Sequence, residues 1–157
     1  MGAADQAWAD RLRQAHFPPE RNHLAAHITL FHHLPPGCLS ELKSVLGGLA
    51  LDEKPPARID RLMSLGQGVA YHIHSPALMA IRDDMAMRFA PLLTPQDRGR
   101  PRLHITIQNK VPATVAHATM ALLEQDFRPR PLVIAGLAAW EYRGGPWALI
   151  RRYPFRG

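Results

Sequence analysis

Two four-residue stretches, His27-Ile28-Thr29-Leu30 and His104-Ile105-Thr106-Ile107, share one pattern in which polar and aliphatic residues alternate. A period of two belongs to a strand with one wet and one buried face, and the β-branched content of both stretches favours extended backbone. Within each, the His and the Thr point the same way and stand roughly 6.5–7 Å apart. One phosphate-sized group spans that distance. A fold that buries both aliphatic faces and brings the two strands together surrounds one site with two imidazoles and two hydroxyls.

Nine His and five Thr in 157 residues would yield roughly 0.3 His-x-Thr triplets by chance. The chain holds three. The third, His117-Ala118-Thr119, falls in a segment that reads as a helix over residues 112–125, where residues two apart face nearly opposite ways. It is a coincidence of spelling. The remaining two lie 77 residues apart, one in each half of the chain.

This pair, His-x-Thr-Leu and His-x-Thr-Ile, resembles the signature of the two-histidine (2H) phosphoesterase superfamily, in particular its 2′-5′ RNA ligase-like branch. The flanking text, residues 26–35 and 101–110, supports the resemblance, which runs from about Phe17 to Trp147. It implies an α+β fold of two small antiparallel lobes related by a pseudo-twofold axis, with outer helices and an active site in the central cleft. It also implies that His27, Thr29, His104 and Thr106 carry the chemistry, with His104 as base and His27 as acid. The expected activity is metal-independent hydrolysis of 2′,3′-cyclic phosphates or related phosphodiesters, with 2′-5′ ligation as the reverse. In that family a strand normally precedes the first helix. Here nothing strand-like does, so either the start is truncated relative to relatives or the sheet of the first lobe is one strand short.

A chain of 157 residues is one ordinary domain with a sizeable core. Its single cysteine, Cys38, permits no internal disulfide, which fits a reducing cytoplasm. The longest apolar stretch, residues 132–140, is far below the roughly 20 residues that span a bilayer, so no membrane association is expected. The net charge of +6, mostly an excess of Arg, suits a phosphate-bearing partner, though it also serves ordinary solubility. The expected partner is a nucleotide or RNA with a 2′,3′-cyclic phosphate or 2′-5′ linkage, met by a monomer.

In chain order, residues 5–15 predict a short helix with Ala7, Trp8, Leu12 and Ala15 as its apolar stripe. Pro18 and Pro19 stiffen the connector that follows. The first motif strand is expected over residues 23–33, with Phe31 on its histidine face, and Pro35-Pro36-Gly37 ends it. Residues 38–49 predict a core-facing helix broken at Gly47-Gly48. Residues 57–65 and 69–74 flank Gly66-Gln67-Gly68 as a hairpin. Ser75-Pro76 opens a helix to about residue 90, and residues 91–101 form a polar, Arg-rich loop. A long strand over residues 131–142, a Gly144-Gly145 turn and a strand over residues 146–153 close the chain. Trp140, Tyr142 and Trp147 gather near that turn and are expected to pack across the hairpin, the alternative being a base-stacking platform.

If the second motif strand stays extended, Arg102, His104, Thr106, Gln108 and Lys110 share one face. Arg102, Gln108 and Lys110, with Phe31 from the first motif, are therefore the expected substrate-binding residues. His72 and His74 share a strand face, but two imidazoles without a third ligand make a poor metal cage, so neither metal nor cofactor is expected. Cys38 has no general base near it in sequence. The chain lacks a G-x-x-x-x-G-K-[ST] loop and a Lys-x-Asp-Gly stretch, which argues against an ATP-driven ligase. Two other function classes remain: a nonenzymatic nucleotide or RNA-end binding module using the same cleft, and a metal-dependent hydrolase centred on His72 and His74.

Overall fold

Strands β1 (Ala57–Ser64) and β2 (Val69–His74) form an antiparallel hairpin around Gly66-Gln67-Gly68. Gly66 takes φ +79°, a conformation that side chains disfavour. At Gly68 an added Cβ would meet the backbone of Gln108 and Asn109. Glycine there lets β3 (His104–Gln108) lie close against β2. β4 (Arg130–Leu132) pairs with the other side of β1, giving a four-stranded sheet of order β3-β2-β1-β4. A second sheet is the hairpin of β5 (Gly136–Tyr142) and β6 (Trp147–Pro154). The computed structural model describes residues 1–144 and 147–157; the predicted Gly144-Gly145 turn and Pro146 thus lie partly outside the described residues.

The helices are α1 (Ala3–His16), α2 (Leu39–Leu49), α3 (Pro76–Arg88), the single turn α4 (Pro95–Arg98) and α5 (Ala113–Asp126). α3 starts as its sequence requires: the Ser75 hydroxyl accepts the Leu78 N–H, and Pro76 occupies the first turn. α2 runs through Gly47-Gly48 instead of breaking there, because Leu42, Val45, Leu46 and Leu49 still pack on the core and offset the glycine propensity cost. One core joins both sheets, from Ala9 through Ile59, Ile73, Phe89, Leu103, Ile105 and Ile107 to Phe155. The architecture is α+β with antiparallel sheets, as expected.

Three further expectations fail in instructive ways. The strand expected over residues 23–33 does not form; its one sheet contact is the antiparallel bridge Ile28–Ile105. The strand expected over residues 131–142 is two strands, with β4 in the large sheet and β5 in the small one. Asp5 holds the break between them, accepting the Val133 N–H and a bond from Arg130. Finally, α1 buries only part of the apolar stripe expected of it: Trp8 and Leu12 pack against the core. Ala7 and Ala15 are exposed, whereas Asp5, Ala9 and Arg13 point inward, because each inward polar side chain has a backbone partner that offsets its burial.

Candidate active site

The Ile28–Ile105 bridge fixes how the two motifs meet. The two isoleucines lie opposite each other and turn into the core, Ile105 completely and Ile28 partly. An antiparallel register of 28 with 105 sets residue 27 opposite 106 and residue 29 opposite 104, and alternation turns all four away from the isoleucine side. His27 thus faces Thr106, and Thr29 faces His104. The two imidazoles sit on one diagonal of this quadrilateral and the two hydroxyls on the other. Diagonal neighbours stand roughly 7–8 Å apart, and the charge of His104 is felt at His27.

The two histidines are braced alike. His27 Nδ1 lies 2.9 Å from the Ala25 carbonyl oxygen, and His104 Nδ1 lies 2.7 Å from that of Arg102. In both cases the carbonyl belongs to the residue two positions back. A carbonyl only accepts, so each Nδ1 carries the hydrogen and each Nε2 is the nitrogen left to exchange a proton. His27 titrates below the ordinary histidine value: partial desolvation lowers it, the Ala25 carbonyl opposes this, and the charges of Arg13 and His104 lower it further.

α1 holds both motifs. Asp10 accepts the Ala26 N–H at 2.6 Å, and Gln6 donates to the Ala26 carbonyl at 2.9 Å, which fixes the backbone just before His27. One turn on, Arg13 donates to the Thr106 carbonyl at 2.8 Å and to Asn22 Oδ1 through Nε and Nη2. The outer edge of β3 is closed by this guanidinium and by the Ile28 bridge in place of a neighbouring strand. An open depression of about 270 Å³ beside the first motif is lined by Asp10, Arg13, Asn22, His23 and Ala25, among others.

The far end of the first motif is tied down by Asp97, which the sequence places in a polar loop. The carboxylate is 2% exposed and accepts the N–H groups of His32 and His33 together with His32 Nδ1. Burial alone would raise its pKa, but these bonds outweigh burial and hold it below the usual carboxylate range. Arg82, itself buried, donates to the carbonyls of Asp97 and Gly99 and lies 5.0 Å under the ring of Phe31. Phe31 is therefore half-buried on a guanidinium, not freely presented.

The remaining expected substrate contacts separate. Arg102 is exposed immediately before β3. Gln108 is turned away: a bulge pairs Val69 with Gln108 but Ala70 with Thr106, so Ile107 is the extra residue and parity flips after it. Gln108 is consequently buried on the side of α5, where Nε2 donates to Thr119 at 2.9 Å. The third His-x-Thr triplet lies in α5, as read from sequence, and among the described residues its Thr119 hydroxyl bonds only Gln108 and the Val115 carbonyl. Lys110 lies beyond the strand end with φ +61°, exposed, so neither residue continues the histidine face. Cys38 is buried, its thiol donating to the Pro35 carbonyl, and burial pushes its pKa up.

His72 is engaged by Asp60 at 2.6 Å, and His74 is exposed. Among the described residues no group of three or more His, Cys, Asp or Glu side chains is arranged to hold a metal ion. Nor, among the described residues, is any helix long and apolar enough to cross a membrane. Tyr142 and Trp147 pack across the β5–β6 hairpin with centroids 5.0 Å apart, and Trp140 stands opposite Leu149 on the same exposed face.

Residues 2–146 match the sequence model of the 2′-5′ RNA ligase superfamily. Among solved structures the fold is similar to that of TT0787 of Thermus thermophilus, with a TM-score of 0.61 over 100% of this chain and 94% of that one, at 13% identity. No curated protein sequence matches the chain.

Proposed function

The chain belongs to the 2′-5′ RNA ligase superfamily, whose members act on phosphodiesters as phosphoesterases or ligases, and from that premise we propose that it is a metal-independent hydrolase of 2′,3′-cyclic phosphate ends. The observation that carries this reading is the doubled brace: two imidazoles pinned through Nδ1, each with Nε2 left for proton transfer, on segments bridged at Ile28 and Ile105. Opening a cyclic phosphodiester needs a base to take a proton from water and an acid to protonate the departing ribose oxygen. Two imidazoles of opposite protonation state supply both. Thr29 and Thr106, on the other diagonal, donate to the nonbridging oxygens as their charge shifts in the transition state. With an RNA 5′-hydroxyl in place of water as the nucleophile, the same pair opens the cyclic phosphate, the 3′ oxygen leaving as a hydroxyl, and forms a 2′-5′ linkage.

The depressed pKa of His27 favours its neutral form in the free protein. This supports His27 as the base and His104 as the acid, the reverse of what the family resemblance implies. Arg102 at the mouth of β3 and the net charge of +6 favour a phosphate polymer or its end as the substrate. The working form in this proposal is a single cytoplasmic domain acting as a monomer.

Incubation with the four nucleoside 2′,3′-cyclic monophosphates in excess chelator tests the proposal. The expected result is a nucleoside monophosphate whose isomer, 2′ or 3′, names the leaving oxygen. Tight binding without turnover would make the protein a nucleotide-end binding module. Turnover that appears only with an added divalent ion would end the metal-independent mechanism.

A further inference from the structure

The face of the sheet that carries His104 holds a third imidazole. β2 and β3 are antiparallel, and His72 is the direct partner of His104 in their ladder. Direct partners place their side chains on the same face with Cβ atoms roughly 4.5–5.5 Å apart. Thr106 sits opposite Ala70 on that face, and His72 lies beside His104.

His72 is not a loose surface residue. Its side chain is 14% exposed and Nδ1 lies 2.6 Å from Asp60 Oδ1. Asp60 stands at a bulge, since Ile59 pairs with Ile73 and Arg61 with His72. The extra residue is what carries the carboxylate across to the ring. Arg61 closes the other side of the same carboxylate at 3.0 Å. Although partial burial works to raise it, the bond and charge of His72, with Arg61, hold Asp60 in its ionised form. The carboxylate accepts from Nδ1 and leaves Nε2, to which no hydrogen bond is made among the described residues. A bulge, a carboxylate and an arginine thus serve to orient one imidazole beside His104.

We propose that His72, oriented by Asp60, is a substrate-binding residue whose Nε2–H donates to a phosphate oxygen of the ligand held between His27 and His104. The inference rests on the phosphodiester reading of that cleft. Asp60 takes the Nδ1–H, so the donor to the phosphate is a second proton carried on Nε2 in the complex. It takes no part in the proton transfers, because His27 and His104 already supply one base and one acid. Asp60 is a positioning residue acting through His72.

The test combines kinetics on adenosine 2′,3′-cyclic monophosphate with an imidazole NMR titration of the wild-type protein by adenosine 2′-monophosphate. His72→Asn is expected to raise KM about tenfold, the scale of one charge-assisted hydrogen bond, while kcat changes less than about threefold. Asp60→Asn keeps an acceptor for Nδ1 and is expected to fall between wild type and His72→Asn. In the titration the His72 ring resonances should move at the same ligand concentrations as those of His27 and His104. A fall in kcat with KM unchanged, or a His72 ring that ignores the ligand while the other two respond, overturns the inference. Failure of the wild-type protein to hydrolyse any cyclic nucleotide overturns the phosphodiesterase reading instead. The titration still decides the role of His72 in that event, since it needs no turnover and no substitution.

Discussion

His104 sits in a strand whose backbone is laddered to β2, whereas His27 sits in a segment joined to the sheet by one bridge and otherwise held by side chains. The imidazoles are nevertheless braced in the same way, Nδ1 to the carbonyl two residues back. The difference teaches that the local motif specifies ring orientation while the surroundings specify position. For His104 the position comes from backbone hydrogen bonds that almost any sequence of the right pattern can make. For His27 it comes from Gln6, Asp10 and Asp97, side chains that each have to be present.

The comparison breaks most decisively if the two histidines are not equivalent in the chemistry. His27→Ala and His104→Ala should each lower turnover by roughly 100-fold or more, measured on a nucleoside 2′,3′-cyclic monophosphate, with the far-ultraviolet dichroism unchanged. Neither ring fills the core, so neither deletion opens a large cavity. Full activity in one variant would reduce that histidine to a structural residue and leave the paired motif without a function.

A smaller effect separates the two means of support. Asp97→Ala removes the acceptor of two backbone N–H groups and of the His32 ring. The expected cost is about 2–4 kcal/mol in denaturant unfolding, with turnover lowered about tenfold through displacement of the first motif. Because Asp97 is held below its unfolded value, its contribution is present above the ordinary carboxylate pKa and is lost as pH falls through the depressed folded pKa. The wild type should therefore lose stability on acidification more steeply than Asp97→Asn. No backbone change on the β3 side has an equivalent acid dependence, and equal pH profiles for wild type and variant would show that the carboxylate does not hold the segment.

Gln108→Ala sharpens the second motif in the same spirit. With its side chain on α5, its loss should cost about 1–2 kcal/mol of stability and leave KM within about twofold. A tenfold rise in KM would return Gln108 to the substrate face and with it the unbroken strand read from the sequence.

Legibility follows the range of the interactions. The β1–β2 hairpin, the Ser75 cap of α3 and the β5–β6 pairing are readable because turn chemistry and periodicity act within a few residues. The paired His and Thr are readable because alternation is local too. The strand expected around His27 is absent, since its ladder partners are replaced by Asp10 and Asp97, 16 and 65 residues away from the groups they bind. Gln108 departs from its expected face because one inserted residue opposite the Val69–Ala70 step reverses parity. Arg13 and Asp10 look like the wet face of α1, and only their backbone partners reveal them as its inner face. The loop before β3 carries one cue to the Asp97 tether, the run Thr94-Pro95-Gln96-Asp97, which signals a helix start but names no partner.

The smallest expected effect is electrostatic and decides which histidine is the base. In the free protein His27 should titrate below the ordinary histidine value, followed by its ring resonances, and His104→Asn should move it upward because one of the charges lowering it is gone. Desolvation, the larger cause, remains, so the shift is partial. The rate should be bell-shaped in pH, its two limbs belonging to the coupled pair. A substrate whose leaving group needs no proton then separates the roles. With His27 as base, His104→Ala should recover much of its activity on that substrate while His27→Ala stays inactive. Recovery of His27→Ala instead would mean that the bound phosphate reverses the free-protein preference and restores the assignment that the family resemblance implies. Recovery of neither would remove the division into one acid and one base, and the symmetry of the two braces would then have to be read as two phosphate-binding donors.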